Sequence, residues 1–122
     1  MLADKELKAF VATTKTKKAK SFYQEILGLK LLSEDDYALE FDANGTKLRV
    51  IIVQELKPRE FTALGWNVDD IFATIKSLNE KGVFCENYPF LHQDNSGIWL
   101  SPGGSKVAWF KDPDGNILSL TE

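Results

Sequence analysis

The chain is poor in the residues that hold metals and close disulfides. It has one cysteine, Cys85, and one histidine, His92. A single cysteine cannot form a disulfide within the chain, and no Cys/His zinc pattern exists. That fits a reducing compartment. Any metal site would have to rest on carboxylates, glutamine or water. Long apolar runs are also missing: none approaches the ~18 residues of a membrane-crossing helix. The opening Met1-Leu2-Ala3-Asp4-Lys5-Glu6 has no apolar signal core. A membrane partner is therefore not expected, and the cytoplasm is. Basic excess is lacking too, with Lys+Arg 15 against Asp+Glu 18. A nucleic-acid partner, which calls for a dense basic face, is not expected. One locally basic stretch, Lys15-Thr16-Lys17-Lys18-Ala19-Lys20, reads as a solvated helix face or as an anion-attracting rim.

What is present is a core-forming domain of 122 residues, 43% hydrophobic. Residues 7–14 read as a strand, with Leu7, Ala9 and Val11 on one face and Lys8, Phe10 and Ala12 on the other. Residues 17–27 carry Ala19, Phe22, Tyr23, Ile26 and Leu27 at helical spacing, with Gly28 as the stop. Strands over 29–33, 37–41 and 46–53 follow, the last two joined by Asp42-Ala43-Asn44-Gly45, a hairpin signal. After a linker over 54–61 the order repeats. A strand over 62–68 leads to a helix capped by Asp69 or Asp70 and stopped by Gly82. Short strands are expected over 83–85 and 97–100. A long segment over 86–96 holds Pro89 and His92. A hairpin then leads into residues 106–111. Asp112-Pro113-Asp114-Gly115 is a tight turn into a last strand over 117–121.

The fold class is thus α+β. Two βαβββ modules, about 6–53 and 62–122, form a curved mixed sheet with helices on the convex face and a concave ligand pocket. Leu64, Trp66, Val68, Leu118 and Leu120 are expected to face the helices. Ala63, Gly65, Asn67, Ser119 and Thr121 are expected on the concave side, where their small size leaves room. Trp109 and Phe110 must point opposite ways, so only one can line a pocket.

Three segments, "SFYQEILGLKL", "GWNVDDIFATIKSLNEKGV" and "AWFKDPDGNILSL", come in an order and spacing that resembles the vicinal oxygen chelate superfamily. That group includes glyoxalase I, extradiol dioxygenases and bleomycin- and fosfomycin-resistance proteins. The resemblance covers nearly the whole chain. It implies a homodimer with a pocket in each curved sheet. It also implies metal ligands, His or Gln on a module's first strand and Glu on its last. Carried over, those positions fall on Lys8, Ala63, Ser119 and somewhere in 48–53, and none is a family ligand. No metal, no cofactor and no catalytic residue is therefore assigned.

The expected function is metal-independent binding of a small aromatic or anionic molecule. Lys8, Phe10, Tyr37, Arg49, Asn67, His92, Trp99 and Ser119 are the candidate contacts. Two alternatives stand beside it. One is a lyase, isomerase or dioxygenase-like enzyme, using a displaced metal near His92 and Asp94 or metal-free acid–base chemistry. The other is a structural or partner-binding module with a filled pocket.

Overall fold

The computed structural model describes residues 1–122. Two compact units divide the chain, Met1–Lys57 and Pro58–Glu122. Each holds one four-stranded mixed sheet. The first unit runs β1 (Lys8–Thr13), α1 (Thr16–Ser21), β2 (Lys30–Glu34), β3 (Ala38–Ala43) and β4 (Thr46–Ile52), with strand order β1-β4-β3-β2. The second runs β5 (Thr62–Asn67), α2 (Ile71–Glu80), β6 (Trp99–Leu100), β7 (Lys106–Lys111) and β8 (Ile117–Thr121), with order β5-β8-β7-β6. In both, the first strand lies parallel to the last, and the rest of the sheet is antiparallel.

In the first unit, α1 continues as a π-helical turn over Phe22–Ile26, where the Leu27 N–H donates to the Phe22 carbonyl at 2.9 Å. The wider turn lets the adjacent residues Phe22 and Tyr23 both be buried, their rings edge-to-face at 5.1 Å. Tyr23 in turn meets Phe41 of β3, with ring centroids 5.8 Å apart. The helix therefore covers the sheet face that carries Val11, Leu39, Phe41, Leu48 and Val50, all buried. The basic stretch before it is mostly solvated. Lys15, Lys17 and Lys18 are exposed, and Lys20 pairs with Glu34 at 2.9 Å. The β3–β4 turn is a two-residue loop in which Asn44 (φ 51°) and Gly45 (φ 91°) are both left-handed. That is the twist an antiparallel hairpin requires, and an Asn-Gly pair tolerates it.

In the second unit, Ile71, Ile75 and Leu78 form the buried stripe of α2. Of the two candidate caps it is Asp70 that acts, its Oδ1 accepting from the Ala73 N–H at 3.0 Å. The Glu122 carboxylate accepts a further bond from the Ile71 N–H at 2.8 Å, tying the chain's last residue to the helix start. Lys106 lies over the Phe72 ring of α2 at 5.7 Å, so the helix covers the face bearing Ala108, Phe110, Leu118 and Leu120.

Two expected elements differ. Residues 83–85 form no strand, and the strand over 97–100 is reduced to Trp99–Leu100. The backbone here finds other partners. The Val83 N–H donates to the Leu78 carbonyl at the helix end, and the Glu86 N–H to the Trp109 carbonyl. Gln93 then accepts from the Tyr88 N–H and donates to the Glu86 and Gly97 carbonyls. Asp94 Oδ1 accepts from the Ser96 and Ile98 N–H groups and the Ser96 hydroxyl. Side chains satisfy this segment where a ladder would otherwise have done so.

The turn into β8 is built around Asp112. Its Oδ1 accepts from the Asp114 and Asn116 N–H groups at 3.0 and 2.9 Å, and its Oδ2 from Asn116 Nδ2 at 2.8 Å. Asp112 and Asn116 are both buried. Asp112→Ala removes the acceptor of these donors, of which the two from Asn116 are buried. It is expected to lower unfolding free energy by about 2–3 kcal/mol, read as a lower urea midpoint.

Candidate functional site

Each sheet has one face beneath a helix and one without, and strand parity assigns residues to each. On the helix-free face of the first sheet lie Lys8 and Phe10, paired with Lys47 and Arg49 of β4. Glu40 of β3 is opposite Arg49. Its Oε2 accepts from Arg49 Nη1 at 3.2 Å and sits 3.9 Å from Lys8 Nζ. The structure thus brings Lys8, Phe10 and Arg49 together, and adds Glu40, which the sequence reading overlooked. Parity was the available signal, since Glu40 stands between the core residues Leu39 and Phe41. The Glu40 carboxylate offsets part of the positive charge of Lys8 and Arg49 there. Tyr37 does not join this group. It precedes β3, is exposed, and has the parity of Leu39.

On the helix-free face of the second sheet, Trp109 is in register with Ser119, and Ser119 with Gly65. Trp99 stacks obliquely on Trp109 at 6.0 Å, and Asn67 pairs with Thr121 further along. Trp99, Asn67 and Ser119 therefore share one face. Trp109 takes the outward position and Phe110 is buried on the helix side, as the alternation requires.

The segment after α2 closes part of this face. Tyr88 meets Trp109 edge-to-face at 5.7 Å and Phe90 at 5.6 Å. Beside them is a partly open cavity of about 150 Å³ lined by Phe61, Tyr88, Phe90, Leu91, Trp109 and Ile117, with Glu60 and Thr62, and Phe61 and Phe90 are themselves exposed. Burial raises the Tyr88 phenol above its ordinary range, Glu86 adds to that, and Lys111 opposes it. The sequence reading named Trp109 but not Phe61, Tyr88 or Phe90. A segment without regular structure has no periodicity to show which of its aromatics turn inward.

His92 is exposed in this segment and is not part of the cavity wall. Its neighbour Asp94 spends Oδ1 on the loop backbone. Burial pushes the Asp94 carboxyl up, but the hydrogen bonds from Ser96, Ile98 and Gly97 outweigh it and leave it below its ordinary value.

The metal positions implied by the resemblance do not fit an ion. Lys8 brings an ammonium already facing Glu40, and Ala63 brings no donor. Ser119 Oγ occupies the space above Gly65, where a Cβ would lie 2.6 Å from it. No three His, Cys, Asp or Glu side chains converge anywhere in the chain.

Comparison with known proteins gives one family. The model of the Glyoxalase/Bleomycin resistance protein/Dioxygenase superfamily matches residues 7–120. A Bacillus subtilis relative, uncharacterized protein YraH, is 35% identical over 120 positions, covering 85% of this chain and 87% of the relative. Among solved structures, lactoylglutathione lyase from Agrobacterium tumefaciens superposes with TM-score 0.77 at 14% identity, covering 100% of this chain and 96% of that one. A superfamily member from Sphaerobacter thermophilus gives TM-score 0.77 at 22% identity, covering 100% and 99%. At such identities the two structures speak for the fold.

Two outcomes follow from the site geometry. Gly65→Ala should cost up to about 1 kcal/mol, since the new Cβ meets the Ser119 hydroxyl at 2.6 Å and the hydroxyl must turn away. Adding Ser119→Ala should recover most of that, because Ser119 Cβ lies at an ordinary 3.9 Å. Simple additivity in a double-mutant cycle would show the hydroxyl is not the obstruction. For Cys85, burial and then the charges of Glu86 and Asp94 push the thiol up to about 11 from 9.0. The neutral thiol therefore persists until pH nears 11, and at pH 8 the thiolate fraction is about a hundredfold below that of an ordinary thiol. Native protein should alkylate with iodoacetamide at least about tenfold more slowly than urea-unfolded protein, the higher nucleophilicity of a high-pKa thiolate offsetting part of the deficit.

Proposed function

The chain belongs to the Glyoxalase/Bleomycin resistance protein/Dioxygenase superfamily, and from that premise we propose that it binds a small, largely apolar molecule without a resident metal ion. The observation that carries this is the aromatic-walled cavity on the helix-free face of the second sheet. Stacked and edge-on rings give a large apolar surface at little conformational cost, which suits a flat or compact ligand group. The donor set supports the metal-free part: the positions where the superfamily places ligands hold an ion-paired lysine, an alanine and a serine packed over glycine. Cytoplasmic residence and the absence of nucleic-acid or membrane partners remain part of the proposal. No helix is long and apolar enough to cross a membrane. A homodimer is likewise proposed.

The cavity's size supports a second reading. At about 150 Å³ it is smaller than the roughly 300–1,000 Å³ of common ligand sites. It admits one ring-sized group, which a ligand or a side chain of a protein partner can supply. The enzyme alternative has less support, since Cys85 is held as a thiol and His92 lies off the cavity wall.

Elemental analysis of purified protein should find well under one divalent ion per chain; a stoichiometric, dialysis-resistant ion would defeat the metal-free reading. Toluene or indole should perturb the Trp109 indole NMR signal saturably, and Trp109→Leu should abolish saturable binding as followed by saturation transfer from protein to toluene. Binding that survives Trp109→Leu unchanged would place the ligand elsewhere.

A further inference from the structure

The cavity walls have a specific electrostatic character. Four of them, Phe61, Tyr88, Phe90 and Trp109, are aromatic. The one charged residue among the lining groups is Glu60, a carboxylate. Lys111, the cation that acts on the Tyr88 phenol, is held in an ion pair with Glu86 at 3.2 Å. The lining residues that carry a polar side-chain group are Glu60, Thr62, Tyr88 and Trp109.

Resting on the binding role proposed above, we infer that this cavity takes an alkylated ammonium head group, a quaternary or heavily methylated amine. The faces of aromatic rings carry negative potential and attract a cation within about 6 Å, most strongly when water is excluded. A quaternary ammonium has no N–H groups, so it loses no hydrogen bonds on entering a wall with few acceptors. A primary ammonium would lose three. An anion would face both the ring faces and the Glu60 carboxylate. The methyl groups also fill an apolar space of ring size, so shape and charge favour the same class. Glu60 is exposed and adds attraction at the edge without requiring a buried, unpaired charge.

The test uses the full chain and two probes of matched shape. Choline carries the quaternary nitrogen; 3,3-dimethylbutan-1-ol replaces it with carbon. Both are titrated while following the Trp109 indole NMR signal. Choline should bind roughly three- to thirty-fold more tightly than the alcohol. Glu60→Gln, at an exposed edge where folding is not at stake, should narrow that gap and leave the alcohol unchanged. Equal affinity for the two probes, insensitive to Glu60→Gln, would overturn the cation inference while leaving small-molecule binding standing. Failure of choline, the alcohol and toluene alike to perturb Trp109 would overturn both.

Discussion

A four-stranded sheet covered by one helix can bury only one of its faces, and that constraint organises this protein. Strand side chains alternate, so each strand sorts its residues into a buried row and an available row. In the first unit the buried row is Val11, Leu39, Phe41, Leu48 and Val50 beneath Phe22 and Tyr23. In the second it is Ala108, Phe110, Leu118 and Leu120 beneath α2. The strand residues of chemical interest stand on the other rows: Lys8, Glu40 and Arg49 in one unit, Trp99, Trp109 and Ser119 in the other. A one-residue slip of any strand would exchange the rows. This is why register devices such as the Asn44-Gly45 turn and the Asp112 carboxylate matter for the site as well as for stability.

The second unit adds a feature the first lacks. Its segment between α2 and β6 has almost no ladder, and Gln93 and Asp94 supply its hydrogen bonds instead. Freed from strand geometry, the segment can bring Tyr88 and Phe90 against Trp109. The loop's polar side chains thus hold its aromatic ones over the sheet, and the cavity results from that exchange.

The fold was legible to a large extent. Helix stops, the hairpin turn, the capping aspartate and the outward alternation of Ala63, Gly65, Asn67 and Ser119 all rest on local rules, and the strand and helix order resembled a known superfamily. The misreading at 83–85 has a physical cause. Val83-Phe84-Cys85 has strand-like composition, but β propensity needs a partner strand to become structure. The candidate site was legible only in part. Lys8, Phe10 and Arg49 share a face as alternation implies, whereas Tyr37 and His92 fall outside the two groupings.

Sequence alone determined which donors stand at Lys8, Ala63 and Ser119, the positions onto which the resemblance carries the superfamily's metal ligands. It also determined which residues of each strand are available, because parity is a local property of extended chain. Tertiary structure decided the rest. Glu40 faces Lys8 and Arg49 because β3, β4 and β1 pair in one register, and Ser119 Oγ covers Gly65 because β5 and β8 do. The cavity depends on Phe61, Tyr88, Phe90 and Trp109 converging from distant points of the chain. No local rule encodes that convergence, since it follows from how side-chain hydrogen bonds fold an irregular segment onto a sheet.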